Sequence, residues 1–267
     1  MRAIRDPAPV EEEASEPITL TFSELAAYRA CGFACRLRNL LGFQPFLAPE
    51  LGYGKTVHHA LRAIAEYTLH HGHPPNLEQV PGMLDEGFFL PAASKPAHRQ
   101  LTEAARRLLR SYLTQYDDDL RRVRETERPF GLHPPTAIIT GRADVILDKE
   151  GGEIRSLAIV DYKTSTDPEA DAGYALQLAV YTDAGRREGL NVRAAYVHDL
   201  KACDREPVDV SSDAIVASEQ IVENTVRRLR DRNFRARPGR PCSRCDVRRL
   251  CRWDSGAGAS ALPGRAS

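Results

Sequence analysis

Apolar residues recur at helical spacing over several stretches of the 267-residue chain. Leu101, Ala105, Leu108, Leu109, Tyr112 and Tyr116 stand three or four positions apart, so residues 100–118 are expected to form an amphipathic helix with this stripe on the core. Val57, Leu61, Ile64 and Ala65 trace a similar stripe in a helix expected over 54–69, and another amphipathic helix is expected over 212–231. The stretch "YALQLAVYTDAGRR" also reads as helical. Thr21 and Glu24 in "TFSELAAYRAC" carry the reciprocal capping pattern with which helices start, and a shorter helical stretch follows over 33–41. Residues 70–98, with Pro74, Pro75, Pro81, Pro91 and Pro96, read as a long irregular excursion. Elsewhere the signal is β-rich: "TAIITGRADVILD" and "EIRSLAIVDYKTS", separated by the turn "KEGGE", are expected to pair as a hairpin, and "VRAAYVHDL" as a further strand. Helices flanking a central mixed sheet make the fold class α/β.

Composition narrows this picture. With 42% apolar and 28% charged residues, a chain of this length buries one substantial core. A single domain is expected over 17–254, with an acidic, proline-bearing segment at 1–16 and a small, polar tail at 255–267 both disordered. No run of about 18 apolar residues could span a membrane, and the N-terminus lacks the apolar core of a signal peptide, so a cytoplasmic protein without a membrane partner is expected. Thirty-seven basic and 37 acidic residues cancel, so attraction to nucleic acid would have to come from local patches. Six cysteines in such a chain suit metal ligands or buried thiols better than a disulfide framework.

"PELGYGKTVHHALRAI" contains the letters GKT, but a phosphate loop needs a glycine five positions before Gly54, and Pro49 stands there. The chemistry-bearing segments are instead "GRADVI" and "IVDYKTS". Alternation along a strand puts Asp161 and Lys163 on one face and Tyr162 on the other. Asp144 on the neighbouring strand adds a second carboxylate. Two carboxylates converging at a sheet edge repel unless a cation lies between them, and Mg²⁺ or Mn²⁺ prefer such oxygen ligands. The plainer reading is a surface ion pair between Asp161 and Lys163, with Asp144 ending a strand. His58 borders the apolar stripe of its helix, in line with Lys55 and Arg62, whereas His59 reads as a solvated histidine. "RPCSRCDVRRLCRW" places Cys242, Cys245 and Cys251 at C-x2-C-x5-C spacing, a strong metal signal that lacks a fourth ligand.

Asp144 followed by Asp161-Tyr162-Lys163 resembles the core of the PD-(D/E)XK nuclease superfamily. Gly54 with His58 four residues on, and Gln177 with Tyr181 four residues on, resemble its RecB-like branch. The resemblance implies a restriction-endonuclease-like core, with Asp144, Asp161, Lys163 and His58 catalytic. The divalent cation would be held by His58, Asp144, Asp161 and the backbone carbonyl of Tyr162, and substrate would be oriented by Gln177 and Tyr181. It also implies a four-cysteine iron–sulfur cluster. Cys31, which follows the first helix as in cluster-bearing relatives, would join Cys242, Cys245 and Cys251 and so tie the two ends of the domain together. Gly32 stands where those relatives commonly carry proline. Zinc is the alternative occupant, because sequence alone does not separate S₄ zinc from a 4Fe-4S cluster. Cys35 then reads as a packing residue and Cys203 as a lone thiol.

The layout is most similar to the C-terminal nuclease domain of UvrD/Rep-type helicases. It implies a Mg²⁺- or Mn²⁺-dependent deoxyribonuclease, expected to be an exonuclease acting on DNA with a single-stranded end, in repair or recombination. A helicase motor in cis or in trans would be its partner. Arg36, Arg38 and Arg142 are the arginines expected to contact DNA. The alternatives are a catalytically silent DNA-binding or scaffold domain, an exonuclease like the RecB-like one of CRISPR adaptation systems, and a metal-bearing interaction module with no nucleic-acid role.

Overall fold

The computed structural model describes residues 16–43, 48–148, 156–164 and 171–251. The end segments expected to be disordered lie outside these residues apart from Glu16, and so does the turn over 149–155.

The chain opens with strand β1 (Ile18–Thr21) and helix α1 (Phe22–Ala30). The Thr21 side chain accepts from the Glu24 backbone N–H while Glu24 caps the Thr21 N–H, the capping box foreseen from the sequence. The helical stretch over 33–41 divides into α2 (Gly32–Cys35) and a wider π-helical turn, Arg36–Leu40. Then come α3 (Tyr53–His71), α4 (Val80–Asp85), α5 (Lys95–Gln115) and α6 (Asp117–Leu120). The proline-rich excursion over 70–98 is therefore not wholly irregular. Pro81 and Pro96 sit in the first turns of α4 and α5, where no backbone N–H is needed and the fixed φ suits a helix start.

Strands β2 (Val123–Leu132), β3 (Ala137–Asp148) and β4 (Leu157–Lys163) follow, then α7 (Asp171–Arg187), β5 (Val192–Asp199), β6 (Asp204–Val208) and α8 (Ser212–Arg230). The hairpin partners expected from the sequence, β3 and β4, pair antiparallel, with Val145 opposite Val160 and Asp148 opposite Leu157. β4 and β5 are parallel. β1, β2 and β6 carried no clear signal. β2 and β6 each pair with one neighbour only, and as edge strands they tolerate Pro129 and Pro207.

The six-stranded sheet runs β1-β3-β4-β5-β6 with β2 added on β3, and helices cover both faces. One core layer joins Leu25, Ile146, Ile159, Leu178 and Val222, from α1, α7, α8 and the sheet. The other joins Val57, Leu109, Tyr112, Val145, Val160 and Tyr162, from α3, α5 and the opposite sheet face. Alternation on β3 and β4 thus supplies both layers at once.

One detail of pairing positions the site. β2 lies along β3 from Leu147 to Ile139, occupying one side of that strand. β1 pairs with Ala137–Thr140 and β4 with Val145–Asp148, so both must share the other side. Among the described residues, 141–144 of β3 have no strand partner there, and the gap opens beside Asp144.

The two ends of the domain also meet. The Tyr28 hydroxyl donates to the Asn233 carbonyl at 2.6 Å, the Tyr28 and Phe234 rings pack edge to face at 5.8 Å, and Arg38 pairs with Asp246. A Cβ on Gly32 would stand 2.9 Å from the Arg235 carbonyl oxygen. Glycine at this position therefore permits a close backbone approach.

Candidate active site

Four elements converge on the open edge of β3. α3 brings His58, whose Nδ1 lies 3.0 Å from Asp144 Oδ1. α3 can lie this close to the end of β4 because Gly54 is one turn earlier: a Cβ there would stand 3.1 Å from Thr164 Oγ1. The other Asp144 oxygen accepts the Tyr162 backbone N–H at 2.7 Å, which ties β3 to β4 just beyond their ladder. Continuing the Val145–Val160 register by one step brings Asp144 opposite Asp161.

Asp161 is almost fully buried; the Lys163 ammonium pairs with its Oδ2, and its Oδ1 accepts from Gln177. Gln177 on α7 bridges the pair: its Oε1 accepts from Lys163 Nζ at 3.3 Å, and its Nε2 lies 3.1 Å from Asp161 Oδ1 and 3.2 Å from the Tyr181 hydroxyl. The four-residue spacing that puts Gln177 and Tyr181 on one helix face is thus used.

The electrostatics follow from this crowding. Burial, then the nearby Asp144 charge, push Asp161 up to about 6 in spite of Lys163. For His58, burial opposes the charged form, but the hydrogen bond to Asp144 and the charges of Asp144 and Asp161 outweigh it, so its pKa is raised. Burial lifts Tyr181 to about 12, so it remains a neutral hydroxyl.

Of the residues expected at the site, His58 and Asp144 form one hydrogen-bonded pair and Asp161, Lys163, Gln177 and Tyr181 a second bonded group, and the Tyr162 backbone, whose N–H Asp144 accepts, links the two. His59 is exposed, as expected of a solvated histidine. Among the described residues no three His, Cys, Asp or Glu side chains are closed up as a metal site. The acidic oxygens are instead engaged with His58, the Tyr162 N–H, Gln177 and Lys163. The donor set still fits a hard divalent cation: two carboxylates and an imidazole adjoin, and one of the carboxylates is almost fully buried.

At the other end of α1, Cys31, Cys242, Cys245 and Cys251 all line one cavity of about 170 Å³. Cys31 stands about 210 residues before the other three, and the fold brings it to their common space. Cys35 is buried, and burial raises its pKa; Cys203 stands apart from this cavity. Arg38, one of the arginines expected to contact DNA, is engaged on Asp246 and braces the two ends while its side chain stays part-exposed. Arg36 packs over the Phe234 ring at 6.0 Å, while Arg142 is well exposed and 4.0 Å from Glu127.

Sequence reasoning missed Tyr174, whose ring centroid lies 4.5 Å from Lys163 Nζ. Its position three before Gln177 was the available signal. It placed Tyr112 on the core stripe but did not foresee its hydroxyl lying 2.6 Å from that of Tyr162. Nothing local pairs residues 50 apart.

A family model described as the PD-(D/E)XK nuclease superfamily matches residues 19–252. No curated protein matches the sequence. Among solved structures, an exonuclease candidate from Eubacterium rectale is 17% identical with a TM-score of 0.50, the match covering 99% of this chain and 97% of that one. The protein SSO0001 is 15% identical with a TM-score of 0.40, over 91% and 88% of the two chains. The first of these likenesses supports a shared fold.

Proposed function

The chain belongs to the PD-(D/E)XK nuclease superfamily, and from that premise we propose that it hydrolyses DNA phosphodiester bonds with Mg²⁺ or Mn²⁺ at the Asp144–Asp161 site. The observation that carries this reading is the meeting of His58, Asp144, Asp161 and Lys163 at the open edge of β3. A cation held by His58, Asp144, Asp161 and the Tyr162 carbonyl would supply Lewis acidity and neutralise charge on the phosphate.

The protein's own groups do the rest. Lys163 presents a charged donor where negative charge grows on the phosphate oxygens in the transition state. Gln177 fixes that amine by accepting one of its hydrogen bonds and fixes Asp161 by donating to it. Tyr181 anchors the Gln177 amide in turn. Both therefore orient the substrate through the side chains that touch it. His58, raised in pKa by its carboxylate partners, must lose its proton before it can act as a ligand.

The second metal centre in this proposal is a 4Fe-4S cluster on Cys31, Cys242, Cys245 and Cys251, with zinc as the alternative. Its support is the cavity lined by all four thiols, soft ligands suited to either. The biological setting proposed is exonucleolytic processing of DNA ends in repair or recombination, with a helicase motor in cis or in trans. That part rests on the likeness of the Gly54–His58 segment to helicase-borne nuclease domains.

The test is cleavage of end-labelled single-stranded DNA by anaerobically purified protein, with Mg²⁺, with Mn²⁺ and with EDTA. Cleavage that requires the cation and disappears in Asp161→Ala is expected, with Lys163→Ala slower by about 100-fold or more, roughly 3 kcal/mol of transition-state stabilisation. Metal-independent cleavage, or cleavage that persists in Asp161→Ala, would overturn the reading. Tight DNA binding without cleavage would favour the silent scaffold.

A further inference from the structure

A groove of about 550 Å³ opens between α1 and α7, and its walls include Arg29, Lys163, Tyr174 and Gln177. Lys163 and Gln177 belong also to the acidic site, so groove and site are continuous. Tyr174 lies on the Gln177 face of α7 and holds Lys163 Nζ 4.5 Å from its ring centroid. With the amine over one face of this ring, a base stacked on the other face would be held next to the acidic site. Across the groove, α1 presents Ala26 and Ala27, whose small side chains leave room for a flat group.

Arg29 adds charge. It lines the same groove, and the Arg237 guanidinium lies beside it, donating to the Arg29 carbonyl. A guanidinium in a groove wall offers a phosphate a planar fork of donors. An aromatic platform flanked by cations is the composition of single-strand sites, where every base offers a π-face and the backbone follows the charge.

We propose that the groove receives an unstacked base of a single-stranded DNA end, stacked on Tyr174, with the phosphate next to the scissile one on Arg29. This deepens the nuclease reading and rests on it for the identity of the substrate.

Binding and cleavage separate the two. Fluorescence anisotropy in EDTA at low salt would follow the full chain with a single-stranded oligonucleotide, the same strand with abasic positions at its end, and a blunt duplex. The single strand is expected to bind more tightly than the duplex. Tyr174→Ala is expected to weaken single-strand binding roughly fivefold or more without changing duplex binding, while Tyr174→Phe retains it. Abasic ends should weaken the wild type by a similar factor and Tyr174→Ala no further, a control that needs no altered protein. If neither change alters single-strand affinity, or the duplex binds as tightly as the single strand, the groove proposal is overturned. Mg²⁺-dependent cleavage alongside that result would leave the nuclease reading standing. The expected binding pattern with no cleavage under any cation would instead support the groove and sink the hydrolytic reading.

Discussion

The ring of Tyr181 lies over Gly141 so closely that its hydroxyl, Cε1 and Cζ fill the space a Cβ on that glycine would need. The ring cannot easily yield, since Phe22 packs against it at 6.1 Å and Phe130 at 5.8 Å. Gly141→Ala is therefore expected to displace Tyr181 and, through Gln177, loosen Asp161 and Lys163. The strain should cost roughly 1–3 kcal/mol and lower kcat. In a Tyr181→Ala background the same substitution should cost less, with a coupling of at least about 0.5 kcal/mol. Urea unfolding of the four proteins in this cycle measures the coupling; strictly additive costs would show that the glycine is not there for the tyrosine.

The acidic site gives the metal-free protein an inverted pH dependence. Asp161 is held up to about 6 against an ordinary 3.8, so between those values the folded state binds more protons than the unfolded chain. Stability must then fall as pH rises through that window. His58, raised above 6.5, acts in the same sense: its contribution is complete below 6.5 and is lost as pH rises through the folded value. Relative to Asp161→Asn, the wild type in EDTA is expected to lose at most about 3 kcal/mol between pH 4 and 6. Because a divalent cation competes with these protons, Mn²⁺ should raise Tm more at pH 7.5 than at pH 5. Calorimetry with and without Mn²⁺ checks this, and a cation effect that is flat with pH, or undiminished in Asp161→Asn, would count against the proposed ligands.

Much of this site was legible in the chain because its logic is local. Asp161 and Lys163 share a strand face, Gln177 and Tyr181 share a helix face, and Gly54 and His58 sit one turn apart. The adjacency of Asp144 and Asp161 followed from the hairpin alone. What was not legible depends on pairing across distance. β2 reads as charged, with alternation interrupted by Pro129, and only its partnership with β3 makes it a strand. The open edge at residues 141–144 exists because β1 and β4 stop short of each other, which no periodicity encodes. Pro81 and Pro96 misled because the same residue ends a helix from within and begins one from its first turn.

α5 reaches the acidic site through two phenols. The Tyr112 and Tyr162 hydroxyls lie 2.6 Å apart in the core, and the Tyr162 N–H holds Asp144 at 2.7 Å. Burial raises the Tyr112 pKa to about 12 and Tyr162 well above its ordinary value, so the pair is neutral and one hydroxyl donates to the other. Tyr112→Phe leaves the Tyr162 hydroxyl buried without this partner, which is expected to cost about 1–3 kcal/mol. Tyr162→Phe should cost a similar amount, and the double substitution less than the sum, because neither orphan then remains. Unfolding in urea tests the pattern, and a double substitution as costly as both singles together would mean that the hydroxyl contact contributes nothing.

The cysteine cavity is expected to be the strongest link between the ends of the domain. A metal centre joining Cys31 to Cys242 would close a loop of about 210 residues, and restricting the unfolded chain over such a length stabilises the fold. The neighbouring contacts would give such a centre a prepared seat: Gly32 admits the backbone of Arg235, and Arg38 grips Asp246 beside Cys245. Cys31→Ser or Cys242→Ser should each remove the bound metal and lower Tm by roughly 10 °C or more. Because one centre is lost either way, the double substitution should be no worse than a single one. Cys203→Ser, whose thiol lies outside the cavity, should change neither metal content nor melting. Iron, sulfide and zinc analysis of anaerobically purified protein, paired with calorimetry, tests this. Metal content that survives Cys31→Ser, or melting losses that add in the double variant, would mean that the two ends do not share a centre.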